Sequence, residues 1–134
     1  MKLRKGQLTR RVEEWMHTLP LLGIRHWSVD VHIVEAPDGN DGSAACVHNM
    51  SDYDHAMMEF KREFIEEQET WEEIDKVIIH ELLHMVFRDY DEAIAQVNSH
   101  LNVPVKQIWQ QGVEHELEGV IQRLALQLYA AYGS

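Results

Sequence analysis

The chain of 134 residues reads as an α+β fold. Three observations carry that reading. Residues 27–34 alternate apolar and polar side chains, the period of a half-buried strand. Residues 71–88 repeat apolar positions at helical spacing. A second long helical pattern then runs to the C-terminal end, so strands and helices are segregated along the chain.

The elements follow in order. Leu8, Val12, Trp15, Met16 and Leu19 recur at helical spacing over residues 7–19, and Pro20 and Gly23 end that helix. In "WSVDVHIV", Trp27, Val29, Val31 and Ile33 share one strand face, and Ser28, Asp30 and His32 share the other. "APDGNDG" is a turn-rich loop. "AACVHNM" gives a second strand. "AMMEFKR" gives a third, with Ala56, Met58 and Phe60 opposite Met57, Glu59 and Lys61. Thr70 followed by Glu73 predicts a capping box. From Trp71 to about Arg88 the apolar set is Ile74, Val77, Ile78, Leu82, Met85 and Val86. Pro104 opens the last helical segment, which runs to Tyr132 with Gly133 as its stop and Gly112 as a candidate break.

Composition narrows the function. At 134 residues with 45% hydrophobic content, the chain can bury a core as one domain, residues 1–134. No apolar run is long enough to span a bilayer, and the basic start "MKLRKGQLTRRVEEW" lacks the apolar stretch of a secretory signal. With a single cysteine, Cys46, no internal disulfide can form. These features predict a cytoplasmic protein and no membrane partner. The net charge of −11 argues against nucleic acid as a partner. Lys2, Arg4, Lys5, Arg10 and Arg11 cluster before the first acid, and they read as a solvated first turn. The acidic run "EFIEEQETWEEID" likewise reads as a solvated face.

The chemistry concentrates in "DKVIIHELLHMVF". His80 and His84 are four residues apart, one turn along a helix, and can offer two imidazole nitrogens to one ion. Zinc, at about 2.0–2.1 Å from each nitrogen, suits that spacing. Glu81 lies about 100° round the helix from His80. It misses the ion but reaches a water whose pKa zinc lowers toward about 7. Glu81 is therefore the expected general base. Three polar residues among Ile78, Ile79, Leu82, Leu83 and Met85 need a purpose, because burying them without partners is unfavourable.

A catalytic zinc needs a third protein ligand. The positions that would hold a third-ligand histidine motif on the same helix are Phe87 and Tyr90, so that arrangement fails. The last helix offers Glu114 and Glu118, with His115 and His100 as weaker candidates, while Glu116 points to solvent with Arg123 and Gln127. The apolar face of Leu117, Ile121, Leu124 and Leu128 leans toward Glu114.

"VIIHELLH" with a downstream glutamate helix resembles the gluzincin metallopeptidases, especially the minimal single-domain ones of bacteria and phages. The resemblance covers roughly residues 27–132. It implies a zincin-like fold of three short strands, an active-site helix and a glutamate helix. "EGVIQRLA" fits the family pattern from Glu118, with Ile121, Gln122 and Ala125 in the following places, and this selects Glu118 as the third ligand. The implied protein is a zinc-dependent metallopeptidase with His80, His84 and Glu118 on Zn2+, Glu81 as base, and a peptide or protein as substrate. The strand around Ala56 to Phe60 would then edge the cleft and pair with an extended peptide. The chain departs from the family at Gln122, where an acid is usual. Tyr90, His100 and His115 are the candidate oxyanion stabilisers. Two other readings are a catalytically inactive relative that binds a protein partner around a structural zinc, and an acidic interaction protein.

Overall fold

The computed structural model describes residues 1–37, 42–49, 54–88, 96–97 and 99–133. Helix α1 spans Lys5–Thr18 and buries Leu8, Val12, Trp15 and Met16. A 3-10 turn, Pro20–Leu22, follows it. Gly23 closes that turn at φ 72°, a left-handed conformation that other residues adopt at a cost, and its N–H bonds to Pro20.

Strands β1 (Ser28–Val34), β2 (Ala45–Asn49) and β3 (His55–Lys61) form a mixed sheet in the order β1-β3-β2. β1 runs parallel to β3 and β2 antiparallel to it. The register aligns Val31 and Val47 on either side of Met58, and Ile33 and Ala45 on either side of Phe60. That row is the core face, and Ala56, Met58 and Phe60 are fully buried in it.

Helix α2 (Arg62–Glu67) leaves β3 directly and anchors itself with buried Ile65. The acidic stretch read as a solvated face is part α2 and part the start of the next helix. Its glutamates are exposed, but Asp75 is not.

Helix α3 (Glu72–Val86) is the central element, with Ile74, Ile78, Ile79, Leu82, Leu83 and Met85 buried. It starts differently from the expected capping box. Thr70 Oγ1 accepts from the Glu72 amide at 3.4 Å, while Glu73 turns outward to Lys76. The helix therefore begins one residue too late for the reciprocal pair. At this end Asp75, 3% exposed, accepts both arms of the Arg11 guanidinium at 2.7 Å and the Trp15 indole N–H at 2.9 Å. Arg11 is thus not part of a solvated first turn; it clamps α1 onto α3.

Helix α4 (Val103–Trp109) begins around Pro104, as expected. Gly112 does not end the helical run. It sits in a wider π turn, Gln110–Glu114, that passes into α5 (His115–Tyr132). α3 and α5 pack side by side. α5 buries Ile121 and Ala125 completely, with Leu117, Leu124 and Leu128 packed at the margin. Its inward stripe is therefore centred on Ile121 and Ala125 rather than on the leucine row. No helix among the described residues is long and apolar enough to cross a membrane.

Candidate metal centre

The α3–α5 pair brings together the residues that the sequence singled out. His80 and His84 stand one turn apart on α3, their rings tilted at 57° with centroids 5.1 Å apart. Glu118 stands on α5, one turn before Ile121 and two before Ala125, in the stripe that faces α3. Ala125 has no side chain beyond Cβ, so the two helices can approach closely there.

Glu118 bridges both imidazoles. Its Oε1 lies 2.6 Å from His80 Nε2 and its Oε2 lies 3.0 Å from His84 Nε2. The ligand atoms of His80, His84 and Glu118 all fall within 4.8 Å of one another. On the far side of the first ring, His80 Nδ1 lies 2.7 Å from Gln122 Oε1. An amide oxygen can only accept, so His80 donates from Nδ1 and its Nε2 faces Glu118. In the metal-free protein Nε2 also donates, to Glu118 at 2.6 Å. Once an ion displaces that proton, the ring that keeps Nδ1–H presents a lone pair at Nε2. That is the form a metal ion requires, with the outer nitrogen held as ligating histidines usually are. The departure at Gln122 therefore leaves the partner of His80 in place, with a neutral acceptor instead of an acid.

Electrostatics follow from this geometry. The hydrogen bonds from His80 and then His84 hold the Glu118 carboxyl well below the usual carboxylate range, against the opposing effect of burial. Burial pulls the His80 imidazole down. The Glu118 hydrogen bond, the nearby Glu81 charge and Gln122 outweigh it, and its pKa is raised overall. Glu81 is 7% exposed, and burial pushes its carboxyl up, only partly offset by His84 and His80. Among the described residues no hydrogen bond holds the Glu81 carboxylate. A buried carboxylate without a donor is unfavourable by several kcal/mol unless water supplies one, on the order of magnitude for stranded polar groups.

Glu81, His80, Glu118 and Gln122 line one cleft of about 310 Å³. Ser43, Ala44 and Ala45 form its opposite wall, and Lys76 and Leu126 extend it. This corrects the expected cleft edge. β3 is the central strand, hydrogen-bonded on both sides, and cannot accept a further strand. The wall is the start of β2, an outer strand of the sheet.

The remaining candidates are not gathered here. His100 and His115 are exposed, and neither is among the described residues lining the cleft. Tyr90 lies outside the described residues, as does the side chain of Glu114. The sequence marks Gln122 only as a departure from the family pattern, and Ala44 and Ala45 carry no sequence signal. Gln122 is exposed in the α5 pattern, and Ala44 and Ala45 are simply small.

Comparison with known proteins finds no matching family model, no matching curated protein and no matching solved structure.

Proposed function

We propose that this protein is a zinc-dependent hydrolase of peptide bonds, with His80, His84 and Glu118 as metal ligands and Glu81 as general base. The observation that carries this reading is the Glu118 carboxylate set between two Nε2 atoms, beside a buried carboxylate that no donor among the described residues holds. Two histidines and a carboxylate are a donor set that zinc takes with one position left open. Zinc bound there would supply Lewis acidity, polarising a carbonyl and easing the deprotonation of water.

The protein's own groups account for the rest. Gln122 fixes the His80 ring so that Nε2 faces the centre. Burial raises the Glu81 carboxyl toward the range in which a carboxylate both takes and returns a proton. Glu81 accepts the proton of a water in the cleft as the water oxygen bonds to the peptide carbonyl carbon. It then gives that proton to the amide nitrogen as the C–N bond breaks. The products are a carboxylic acid and an amine, which leave as carboxylate and ammonium once the acid's proton passes to the amine. The outer edge of β2, beside Ala44 and Ala45, suits an extended peptide, because main-chain groups there can bond to it in the manner of an added strand. The resemblance of "VIIHELLH" and "EGVIQRLA" to gluzincins supports the same assignment.

The test joins elemental analysis with cleavage of a peptide library. His84→Ala and Glu118→Ala each lose one zinc ion per chain and all cleavage. Glu81→Gln keeps the zinc and loses cleavage. A fully active Glu81→Gln protein removes Glu81 as the base. Unchanged zinc content in both ligand variants refutes the centre itself.

A further inference from the structure

A second group of metal-ligating side chains lies on the other face of the sheet. Cys46 and His48 are two residues apart on β2, so both side chains leave the same side of the strand. Ala45 and Val47 take the opposite side, toward the core. The antiparallel register sets Glu59 of β3 directly across from Cys46. Three donors of different chemistry, a thiol, an imidazole and a carboxylate, are thereby delivered to one spot by strand periodicity and register alone.

Their spacing is informative. Cys46 Sγ lies 3.4 Å from His48 Nε2 and 3.4 Å from Glu59 Oε1, and His48 Nε2 lies 3.3 Å from Glu59 Oε1. The three atoms form a nearly equilateral triangle. Around a tetrahedral zinc ion, bond lengths of about 2.0–2.1 Å for N and O and about 2.3 Å for S place donor atoms roughly 3.3–3.6 Å apart. A well-made N–H···O hydrogen bond is shorter, near 2.9 Å. The His48–Glu59 edge is thus longer than such a bond, and all three edges match a ligand face, the two sulfur edges being equally the length of thiol hydrogen bonds. At Glu118, by contrast, the 2.6 Å contact has the length of a charge-assisted hydrogen bond.

We propose that Cys46, His48 and Glu59 form a second cation site, for a thiophilic divalent ion such as zinc. The thiolate decides the class of ion, since magnesium and calcium take oxygen ligands. His48 and Glu59 are 34% and 18% exposed, so an ion can enter from solvent. Binding releases the Cys46 thiol proton. Among the described residues three side chains converge on this spot. The site shares no residue with the α3–α5 centre and does not depend on how that centre is read.

Cobalt(II) tests it, because thiolate–cobalt coordination gives a near-ultraviolet charge-transfer band and Cys46 is the chain's single cysteine. The titration uses the full chain and the His84→Ala variant, so that the first centre cannot contribute. In the His84→Ala variant the band grows to saturation at one equivalent per chain. In the full chain it reaches the same amplitude, and cobalt taken up by the α3–α5 centre adds no thiolate band. It is lost in Cys46→Ser, and in Glu59→Gln and His48→Ala the titration shifts to higher cobalt. Added zinc bleaches it. No band in the full chain overturns the proposal. So does a band that Glu59→Gln and His48→Ala leave unchanged, which marks a lone thiolate. A band complete at half an equivalent, marking an ion shared between two copies, overturns it as well.

Discussion

Asp75→Ala is expected to lower stability by about 2–4 kcal/mol without touching the candidate centre. Asp75 is 3% exposed and Trp15 is 5% exposed. Removing the carboxylate strands the indole N–H, and a buried donor left unsatisfied costs about 1–3 kcal/mol. Arg11 is 32% exposed, so water replaces part of its lost partner, and that half of the clamp is worth only about 1 kcal/mol. The total falls at or below the roughly 3–5 kcal/mol for breaking a fully buried pair. For 134 residues, an unfolding entropy of about 2.1 cal/mol/K per residue turns 3 kcal/mol into a Tm roughly 10 °C lower. Urea denaturation followed by tryptophan fluorescence measures the change, and the denaturant slope should stay constant. Asp75→Asn keeps an oxygen acceptor and should lose about half as much. A loss below about 1 kcal/mol in Asp75→Ala refutes the clamp. Additivity within about 0.5 kcal/mol between Arg11→Ala and Asp75→Ala refutes the coupling through it.

Three further outcomes follow from the centre. Gln122→Ala frees His80 Nδ1 and should weaken zinc binding about 10–100-fold, with Gln122→Glu restoring it, as read by competition with a chromogenic chelator. Ala125→Leu overpacks the fully buried contact between α3 and α5, costing about 1–3 kcal/mol and weakening zinc binding. Ala130→Leu, on the exposed side of α5, should change stability by less than about 0.5 kcal/mol in the same melts. The metal-free chain should melt at lower temperature as pH rises above the ordinary histidine value of 6.5. His80 is raised above its ordinary 6.5, so its contribution is complete below that value and lost as pH rises through the folded one. Glu81, raised above 4.5, loses its contribution in the same direction, because the fold favours its protonated form. Glu118, held low, contributes above 4.5 and fails only as acid reaches its depressed value. A flat melting profile over that range contradicts these assignments.

Periodicity sufficed for the α+β class, and the reason is visible in particular residues. Val31, Met58 and Phe60 sit where alternation put them, and Ile74, Ile78 and Leu82 where helical spacing did. His80 and His84 needed no tertiary information, since a single helix fixes their separation. Other features depended on packing between distant segments. The place of Glu118 turns on which stripe of α5 faces α3. Small Ala125 and Ile121, rather than the larger leucines, mark that stripe. The strand order was equally hidden. Nothing local in "AMMEFKR" distinguishes a central strand from an outer one, so the cleft edge was expected at β3 and lies at β2. Asp75 was read with the acidic surface because its partners, Arg11 and Trp15, are sixty or more residues away. The Cys46, His48 and Glu59 triangle likewise needs the β2–β3 register before it exists at all.

The slight burial of α5 has a kinetic meaning. Across its 18 residues Ile121 and Ala125 are the fully buried side chains among those described, whereas α3 buries most of one face. An element so lightly held opens on its own more readily than the core beneath it. The two histidines stay together on α3 when α5 detaches, but the carboxylate leaves with it. Any ion held by all three therefore acts as a latch on α5, and its binding free energy adds to the cost of that local opening. Amide hydrogen exchange along residues 115–132 would slow on metal loading while exchange in the middle of α3 barely changed. The last helix is then the part of the molecule whose lifetime reports occupancy of the cleft.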